Sequence, residues 1–250
     1  MRKINSVHFR NVADIYKNHL ELNFMSNMSN SDRVSFTEDD LLEYYIDANE
    51  NAFPLIVLIG GVAGSGKSSF INFCKKHMSG VFEESTIDCC KAVAAYMSGL
   101  ESSDNVVFQS AIENKTEDYR TLLSHLKQIW CEFDDGPNTI VLRSIKSLLT
   151  DDSSASIVFV NVREPEQISH LKQRIESELD AIVLTLAVVR HDPDESMNDS
   201  DQHTLEYPYD IWIKNSMCLE DLDFVASQFC LAVNNTNEVV NRLYDDLQGL

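Results

Sequence analysis

The sequence predicts an α/β fold with a mainly parallel core sheet of about five strands, because short apolar runs alternate with segments of helical periodicity. The first run, residues 54–59, is continuous, rich in β-branched side chains and ended by two glycines, which is typical of a buried parallel strand. Apolar residues then recur at helical spacing. The order strand, glycine-rich turn, helix indicates that the chain begins its core with a βαβ unit.

Residues 1–50 form an N-terminal extension of mixed polar composition without a hydrophobic period, and the sequence leaves its role open. The other predicted elements lie C-terminal to it. Further strands are predicted at 156–162, 181–189 and 209–213. Helices are predicted over 67–78, 121–133, 140–149, from Pro165, 219–229 and 239–247. In the helix over 121–133 the apolar spacing predicts a buried face of Leu122, Leu123, Leu126, Ile129, Trp130 and Phe133.

Composition excludes several classes of partner. The formal net charge is −20, which disfavours sequence-independent binding to nucleic acid and to anionic membranes. No apolar run approaches the roughly 20 residues of a membrane helix, and no apolar segment of a signal peptide follows the first residues. The six cysteines form no C-x-x-C pair, which favours reduced thiols and a cytoplasmic location.

One motif carries chemistry. Residues 61–68 read G-V-A-G-S-G-K-S and fit G-x-x-x-x-G-K-[ST], after a predicted strand and at the start of a predicted helix. Glycines let successive N–H groups converge on a phosphate, and the helix N-terminus adds a positive dipole end. We therefore expect a site for Mg²⁺ with a nucleoside triphosphate in a P-loop NTPase fold, a three-layer α/β/α arrangement. Lys67 would reach the β- and γ-phosphates and Ser68 would bind Mg²⁺. The nucleotide-binding set is Gly61, Val62, Ala63, Gly64, Ser65, Gly66, Lys67, Ser68 and Ser69.

A nucleotide site leaves three classes of protein open: a small-molecule kinase, a GTPase switch and an ATPase motor. A GTPase would need a guanine-reading N-K-x-D after a strand, and the nearest string, 114–117, ends in Glu and follows no apolar strand. A motor would usually carry an acid at the end of an apolar strand to hold Mg²⁺, where this chain has Asn161. Both observations weigh against hydrolases, and which acid completes the magnesium site stays open.

Four further segments, taken in order, resemble the P-loop kinases of the bacteriophage deoxynucleoside monophosphate kinase type, whose layout animal phosphomevalonate kinases share in part. The segments are 85–94 with Asp88 before a K-x-x-A helix, 119–137 with an R-x-x-L helix and an acidic turn, 161–163 where the family has D-x-R, and 190–215 with an arginine, a polar lid and a D-x-x-I-x-N strand. The resemblance covers about residues 54–232.

The resemblance implies one kinase domain over 51–250 with a lid loop at about 191–206. It implies phosphoryl transfer from Mg-ATP to a small phosphorylated acceptor, a nucleoside or deoxynucleoside 5′-monophosphate, giving the diphosphate. Lys67, Arg163 and Arg190 are the implied catalytic residues, and Asp88, Arg120 and Arg163 the implied acceptor-binding residues; arginine suits this role because its planar fork grips phosphate. A kinase for another phosphomonoester and a non-catalytic nucleotide sensor are the alternatives. The base, the sugar, the choice between ATP and GTP and the oligomeric state, a homodimer included, stay open.

Overall fold

The computed structural model describes residues 17–18, 20–21, 24, 54–97, 116–151, 155–179, 181–190, 203–216 and 218–248. Two compact units are distinguished, one comprising residues up to Glu83 and from Leu148 onward, the other Glu84–Ser147. Most of the predicted extension and residues 191–202 of the predicted lid lie outside the described residues. Within the described part of the chain, none of the helices is both long enough and apolar enough to span a membrane.

The predicted parallel sheet is confirmed, with five strands in the order β2-β3-β1-β4-β5. The strands are β1 (Leu55–Gly60), β2 (Val81–Ser85), β3 (Ile157–Asn161), β4 (Ile182–Arg190) and β5 (Ile211–Asn215). β1 is buried along its whole length, since it pairs in parallel with both β3 and β4. This position explains its continuous apolar sequence, which the alternating pattern of a half-exposed strand would not give.

Six helices of eight residues or more are found in the part of the chain that the structure describes. They are α1 (Lys67–His77), α2 (Asp88–Met97), α3 (Glu117–Asp134), α4 (Gly136–Asp151), α5 (Pro165–Glu178) and α6 (Leu219–Gln248). Pro165 begins α5 as predicted, because proline tolerates the first helical position. The two helices predicted over 219–229 and 239–247 are one continuous helix, α6. The residues between them contain neither glycine nor proline, so nothing in the intervening sequence breaks the helix.

Strand β2 is absent from the sequence prediction. Its residues, V-F-E-E-S, include two glutamates and a serine, and most of them are only half-buried. β2 forms one edge of the sheet and pairs on one side only, so it lacks the apolar run that identifies the central strands. An edge strand of this composition resembles a polar loop in sequence.

Aromatic side chains form the centre of the core in the first unit. Phe70 of α1, Phe159 of β3 and Phe229 of α6 are fully buried, and Phe70 lies edge-on to both others at centroid distances of 6.0 and 5.7 Å. Leu20 and Phe24 belong to the same core, and Phe24 contacts Phe229 at 5.9 Å. Part of the segment 1–50 therefore packs with the sheet.

Helix α3 buries a narrower face than predicted. Tyr119, Leu123 and Lys127, spaced by four residues, are buried, whereas Ile129 and Phe133 are 65% and 85% exposed. Thr116 caps the helix by accepting a hydrogen bond from the N–H of Tyr119, so α3 begins before the predicted start. The short helix α2 packs on one stripe of α3, the stripe that faces Cys90 and Ala94. Leu122 is also exposed, at 45%, so the expected burial of Leu122, Ile129 and Phe133 is wrong.

We expect Phe229→Ala to lower the free energy of unfolding by about 3–5 kcal/mol, because it leaves a cavity among three other aromatic rings. Urea unfolding followed by far-UV circular dichroism measures the change. Phe133→Ala is the control, and its exposed ring predicts a change within about 0.5 kcal/mol. Equal losses in the two variants would contradict the assignment of this aromatic core.

Candidate functional site

The candidate site surrounds the glycine loop, residues 61–66, which joins the carboxyl end of β1 to the first residue of α1. From β1 the chain continues to β2 and β3 on one side of the sheet, and from β4 it continues to β5 on the other. The strand order therefore reverses between β1 and β4. Parallel sheets form their ligand-binding crevice at such a reversal, beyond the carboxyl ends of the strands.

Two glycines of the loop occupy positions that a side chain would disrupt. Gly66, the N-cap of α1, has φ of 101°, and a Cβ there would lie 2.4 Å from Nδ2 of Asn215. Gly61 has φ of 135°, and its Cβ would lie 2.3 Å from the carbonyl oxygen of Val188 in β4. The loop therefore packs its backbone directly against the ends of β4 and β5, which only glycine permits.

Asn215, which is 150 residues away in the sequence, forms a hydrogen bond with the loop. Its buried amide Nδ2 donates a hydrogen bond of 2.8 Å to the carbonyl oxygen of Ser65. Asn215 is the last residue of β5 and the register partner of Arg190 in β4. The sequence analysis places Asn215 at the end of a strand pattern and assigns it no role. Its position at the carboxyl end of a predicted parallel strand is the signal that could have indicated a role in the site.

The ammonium group of Lys67 lies over the loop. Its Nζ donates to the carbonyl oxygen of Gly61, to that of Val62 at 2.8 Å and to Oγ of Ser65 at 3.4 Å. These three acceptors are neutral oxygens of the loop itself. A positive charge is therefore held at the point where the motif predicts phosphate groups, and phosphate oxygens are stronger acceptors for it than carbonyls are.

Helix α1 presents its N-terminus to the loop. Within the described residues no side chain caps this end, and its first turn contains no acidic residue. Its opposite end is anchored, since His77 lies 2.6 Å from the carboxylate of Asp223 in α6. The first N–H groups of α1 together form an anion-binding end, and the exposed Ser68 lies in this turn, where its hydroxyl is accessible to a cation.

Arg190, predicted to be catalytic, lies beside the loop. It is the last residue of β4, and its Nη1 is 3.7 Å from the position that a Cβ on Gly64 would occupy. Lys67 and Arg190, two of the three residues predicted to act on the phosphoryl group, therefore both lie beside the glycine loop.

Arg163 and Asn161 mark the end of β3, the neighbour of β1. The N–H of Val162 donates to the carbonyl oxygen of Ile59 at 3.2 Å, which fixes this segment next to the end of β1. Arg163 follows it and is exposed. The Asn161 amide donates to Glu83 of β2 at 3.0 Å, and the other carboxylate oxygen of Glu83 accepts from Lys75 at 3.0 Å. Glu83 is thus a carboxylate within hydrogen-bond distance of Asn161, the residue that stands where a hydrolase would carry its acid, and the sequence analysis did not include it.

The predicted acceptor-binding residues Asp88 and Arg120 belong to the second unit. Asp88 is the first residue of α2 and forms an ion pair with Lys91 at 2.5 Å. Arg120 lies in the first turn of α3 and is exposed. Residues 116 and 117, the end of the discounted N-K-x-E string, are the cap and first residue of α3 rather than the end of a strand.

The described end of the predicted lid contacts the strand that leads into the loop. The hydroxyl of Tyr209 donates to the carbonyl oxygen of Thr204 at 3.0 Å and lies where a Cβ on Gly60 would be. Burial raises the pKa of the Tyr209 hydroxyl, so it keeps its proton and acts as a donor. The segment 203–209 is therefore packed on the end of β1.

We expect Gly66→Ala to destabilise the protein more than Gly64→Ala does. Gly64, with φ of 71°, has no neighbour closer than 3.7 Å, so alanine there meets only the left-handed backbone penalty of about 1 kcal/mol. At Gly66 the methyl group must also displace Asn215 from Ser65, which adds about 1 kcal/mol or more. Urea unfolding measures both changes, and an equal loss would show that the Asn215 contact contributes nothing.

The comparisons with known proteins add no relative on which to rest a function. No family model matches the sequence, and no curated protein matches it. The geometry of the glycine loop and the order of the motifs around it are therefore the observations that bear on function.

Proposed function

We propose that this chain is an ATP-dependent phosphotransferase with a P-loop NTPase fold, three-layered in arrangement, and that its acceptor is a nucleoside or deoxynucleoside 5′-monophosphate. The observation that carries the proposal is the glycine loop between β1 and an uncapped α1, with Lys67 held over it. A glycine-rich turn that merely joined a strand to a helix would need neither the lysine nor the open helix end.

The donor phosphates would be held by the backbone N–H groups of residues 62–68 and by the N-terminus of α1. Lys67 would exchange its three loop oxygens for oxygens of the β- and γ-phosphates. Asn215 does not touch the phosphates in this proposal. It positions the loop through Ser65, so that the N–H groups converge without rearrangement when the nucleotide binds.

The magnesium ion fits the donor set around the start of α1. Mg²⁺ takes oxygen ligands and usually keeps several waters beside one or two protein groups and the substrate phosphates. The Ser68 hydroxyl would be its protein ligand, with Ser69 next to it. When bound, Mg²⁺ neutralises charge on the phosphate oxygens. Asn161 stands where hydrolases, and the kinases that the chain resembles, carry an acid, so the acid that would complete the magnesium site is left open.

Arginines would grip the acceptor and the moving phosphoryl group. Arg190 lies beside Gly64 and is suited to the transferring group, because guanidinium binds phosphate through two parallel hydrogen bonds. Arg163, at the carboxyl end of β3, would contact the phosphoryl group or the acceptor phosphate. Asp88 and Arg120 remain proposed acceptor contacts on the strength of the motif order alone.

Two other functions fit the same loop. A kinase for a different phosphomonoester would use the donor site unchanged and differ only in the acceptor contacts. A nucleotide sensor is favoured by one observation, the amide of Asn161 in place of the acid, since it would bind Mg-ATP without turnover. Dependence on an acceptor separates both kinases from the sensor.

We expect purified protein with Mg-ATP to convert one or a few monophosphates, from a panel of NMPs and dNMPs, to diphosphates detected by mass spectrometry. Lys67→Ala should lower the rate about a hundredfold or more, since it removes one preorganised charge from the transition state. Lys76→Ala is the matched control, because it removes a lysine of the same helix that is 61% exposed and pairs with Asp223 of α6. ATP-induced thermal stabilisation with no acceptor phosphorylated would contradict the monophosphate kinase.

Arg190→Ala should lower kcat/KM about tenfold to a hundredfold, the cost of a lost hydrogen bond to a charged group, with a smaller loss in Arg190→Lys. The control is Arg174→Ala, whose side chain pairs with Glu178 on the exposed face of α5 at 2.7 Å. We expect that variant to retain wild-type kinetics. If Arg190→Ala did the same, Arg190 would have no part in the reaction.

A further inference from the structure

Strand β5 forms one edge of the sheet, and its side chains alternate between buried and exposed. It is the last strand in the order β2-β3-β1-β4-β5, so β4 is its one partner in the part of the chain that the structure describes. Ile211, Ile213 and Asn215 are buried, whereas Trp212 and Lys214 are exposed. An edge strand presents a row of unpaired backbone N–H and C=O groups, through which another strand can extend the sheet.

The exposed face of β5 carries a negative charge, an aromatic ring and a positive charge in that order. Asp210 directly precedes β5 and continues the alternation, so Asp210, Trp212 and Lys214 lie on one face of the sheet. The Trp212 ring is 45% exposed and packs edge-on against Tyr209 at a centroid distance of 5.3 Å. Lys214 forms no ion pair with any of the described residues. A positioned ring therefore lies between two opposite charges.

One carboxylate oxygen of Asp210 is available to a further partner. The other oxygen, Oδ2, accepts hydrogen bonds of 2.8 Å from both the N–H and the hydroxyl of Thr185 in β4, and Lys172 of α5 approaches the same atom at 3.8 Å. These contacts fix the side chain at the edge of the sheet. Oδ1 has no hydrogen bond or ion pair within the described ranges, and the Asp210 side chain is 33% exposed.

We propose that β5 is a dimer interface, at which the β5 strands of two copies of this chain pair antiparallel about a two-fold axis at Trp212. Such an axis, perpendicular to the sheet, makes the interface self-complementary and keeps the same face of both sheets on one side. Trp212 then lies opposite Trp212 of the second copy. Two positions away on either side, Asp210 lies opposite Lys214 of the second copy, and Lys214 lies opposite its Asp210.

The charges select this register over the two neighbouring ones. An axis at Lys214 would place two ammonium groups directly opposite each other, which is destabilising. An axis at Ile213 would leave Asp210 opposite Ser216, without a cation. Of the three registers, the axis at Trp212 alone pairs both charges of each copy. A lysine on an edge strand usually opposes pairing with another strand, and here the facing carboxylate removes that opposition.

The proposed interface is small, and the two copies repel each other at long range. Two strands of five residues are too short to bury the roughly 1,200–2,000 Å² of a standard stable interface. Each copy carries a formal net charge of −20, whose repulsion is largely screened beyond about 8 Å at physiological ionic strength. We therefore expect a dimer that dissociates on dilution and not a permanent one.

Sedimentation equilibrium of the full chain, over a range of protein concentrations at about 0.15 M salt, measures the association. We expect the fitted mass to rise from monomer to dimer with concentration. Lys214→Glu should raise the dissociation constant about tenfold or more, since it places two carboxylates opposite each other at both ends of the interface. Arg143→Glu is the control, because it changes the net charge equally at an exposed residue of α4 that forms no ion pair within the described chain. Far-UV circular dichroism checks that both variants fold.

Cross-linking tests the register. All six cysteines are free, as the sequence predicts, and Cys218 is exposed, so the variants are made in a Cys218→Ser background, which alone serves as the blank. In Trp212→Cys the introduced sulfurs lie on directly opposite residues, whose Cα separation of about 4.5–5.5 Å suits a disulfide. In Lys214→Cys the two Cα atoms are about 14 Å apart along the strands, too far for one. We expect diamide to cross-link the first variant and not the second on non-reducing gels.

Several results would overturn the proposal. They are a monomer at every concentration, a dimer that Lys214→Glu weakens no more than Arg143→Glu does, and cross-linking of Lys214→Cys as fast as that of Trp212→Cys. A mixture of Trp212→Cys and Lys214→Cys that cross-links faster than Trp212→Cys alone would place the axis at Ile213 and also reject it. Each measurement is made without nucleotide, so its outcome does not depend on the proposed phosphotransferase activity.

Discussion

The hydrogen bond from Asn215 to the carbonyl oxygen of Ser65 is the contact on which the site depends. It joins residues 150 positions apart and is buried, so the carbonyl has no water to replace the amide. Because Asn215 ends β5, the bond ties the glycine loop to the edge of the sheet rather than to its own helix. The loop is thereby connected to the strand ends and to the start of α1, and Gly66 is required because the amide occupies the space of its side chain.

Much of the fold could be predicted from local pattern, and the failures have physical causes. The central strands are buried on both faces and so read as apolar runs, and the helices between them keep their period. Strand β2 was not predicted because an edge strand needs no apolar run. The predicted buried face of α3 was too wide because α2 packs against one stripe of that helix only. Leu20 and Phe24 belong to the core although their segment shows no hydrophobic period, because their burial is determined by tertiary packing and not by a local pattern.

The candidate site also contains residues that the sequence could predict and residues that it could not. The glycine loop between β1 and α1 could be predicted because residues 61–68 match a motif that places glycines, a lysine and a hydroxyl between a strand and a helix. The position of Arg190 beside Gly64 followed from its place after a parallel strand. Asn215 and Glu83 were missed because their contacts are made across the sheet, with Ser65 and Asn161, and such pairings have no signature in one sequence.

The hydrogen bonds from Lys67 to oxygens of its own loop affect which ligands the loop can bind. The ammonium already has oxygen partners within the loop, so an arriving ligand must compete with them instead of filling an empty site. The contribution of Lys67 to affinity is therefore the difference in free energy between its hydrogen bonds to the ligand and its hydrogen bonds to the loop oxygens. Neutral groups offer no gain over a carbonyl, whereas a doubly charged terminal phosphate does. In the proposed nucleotide site, Lys67 would therefore favour ligands whose terminal group carries more negative charge, independently of any contact with base or sugar.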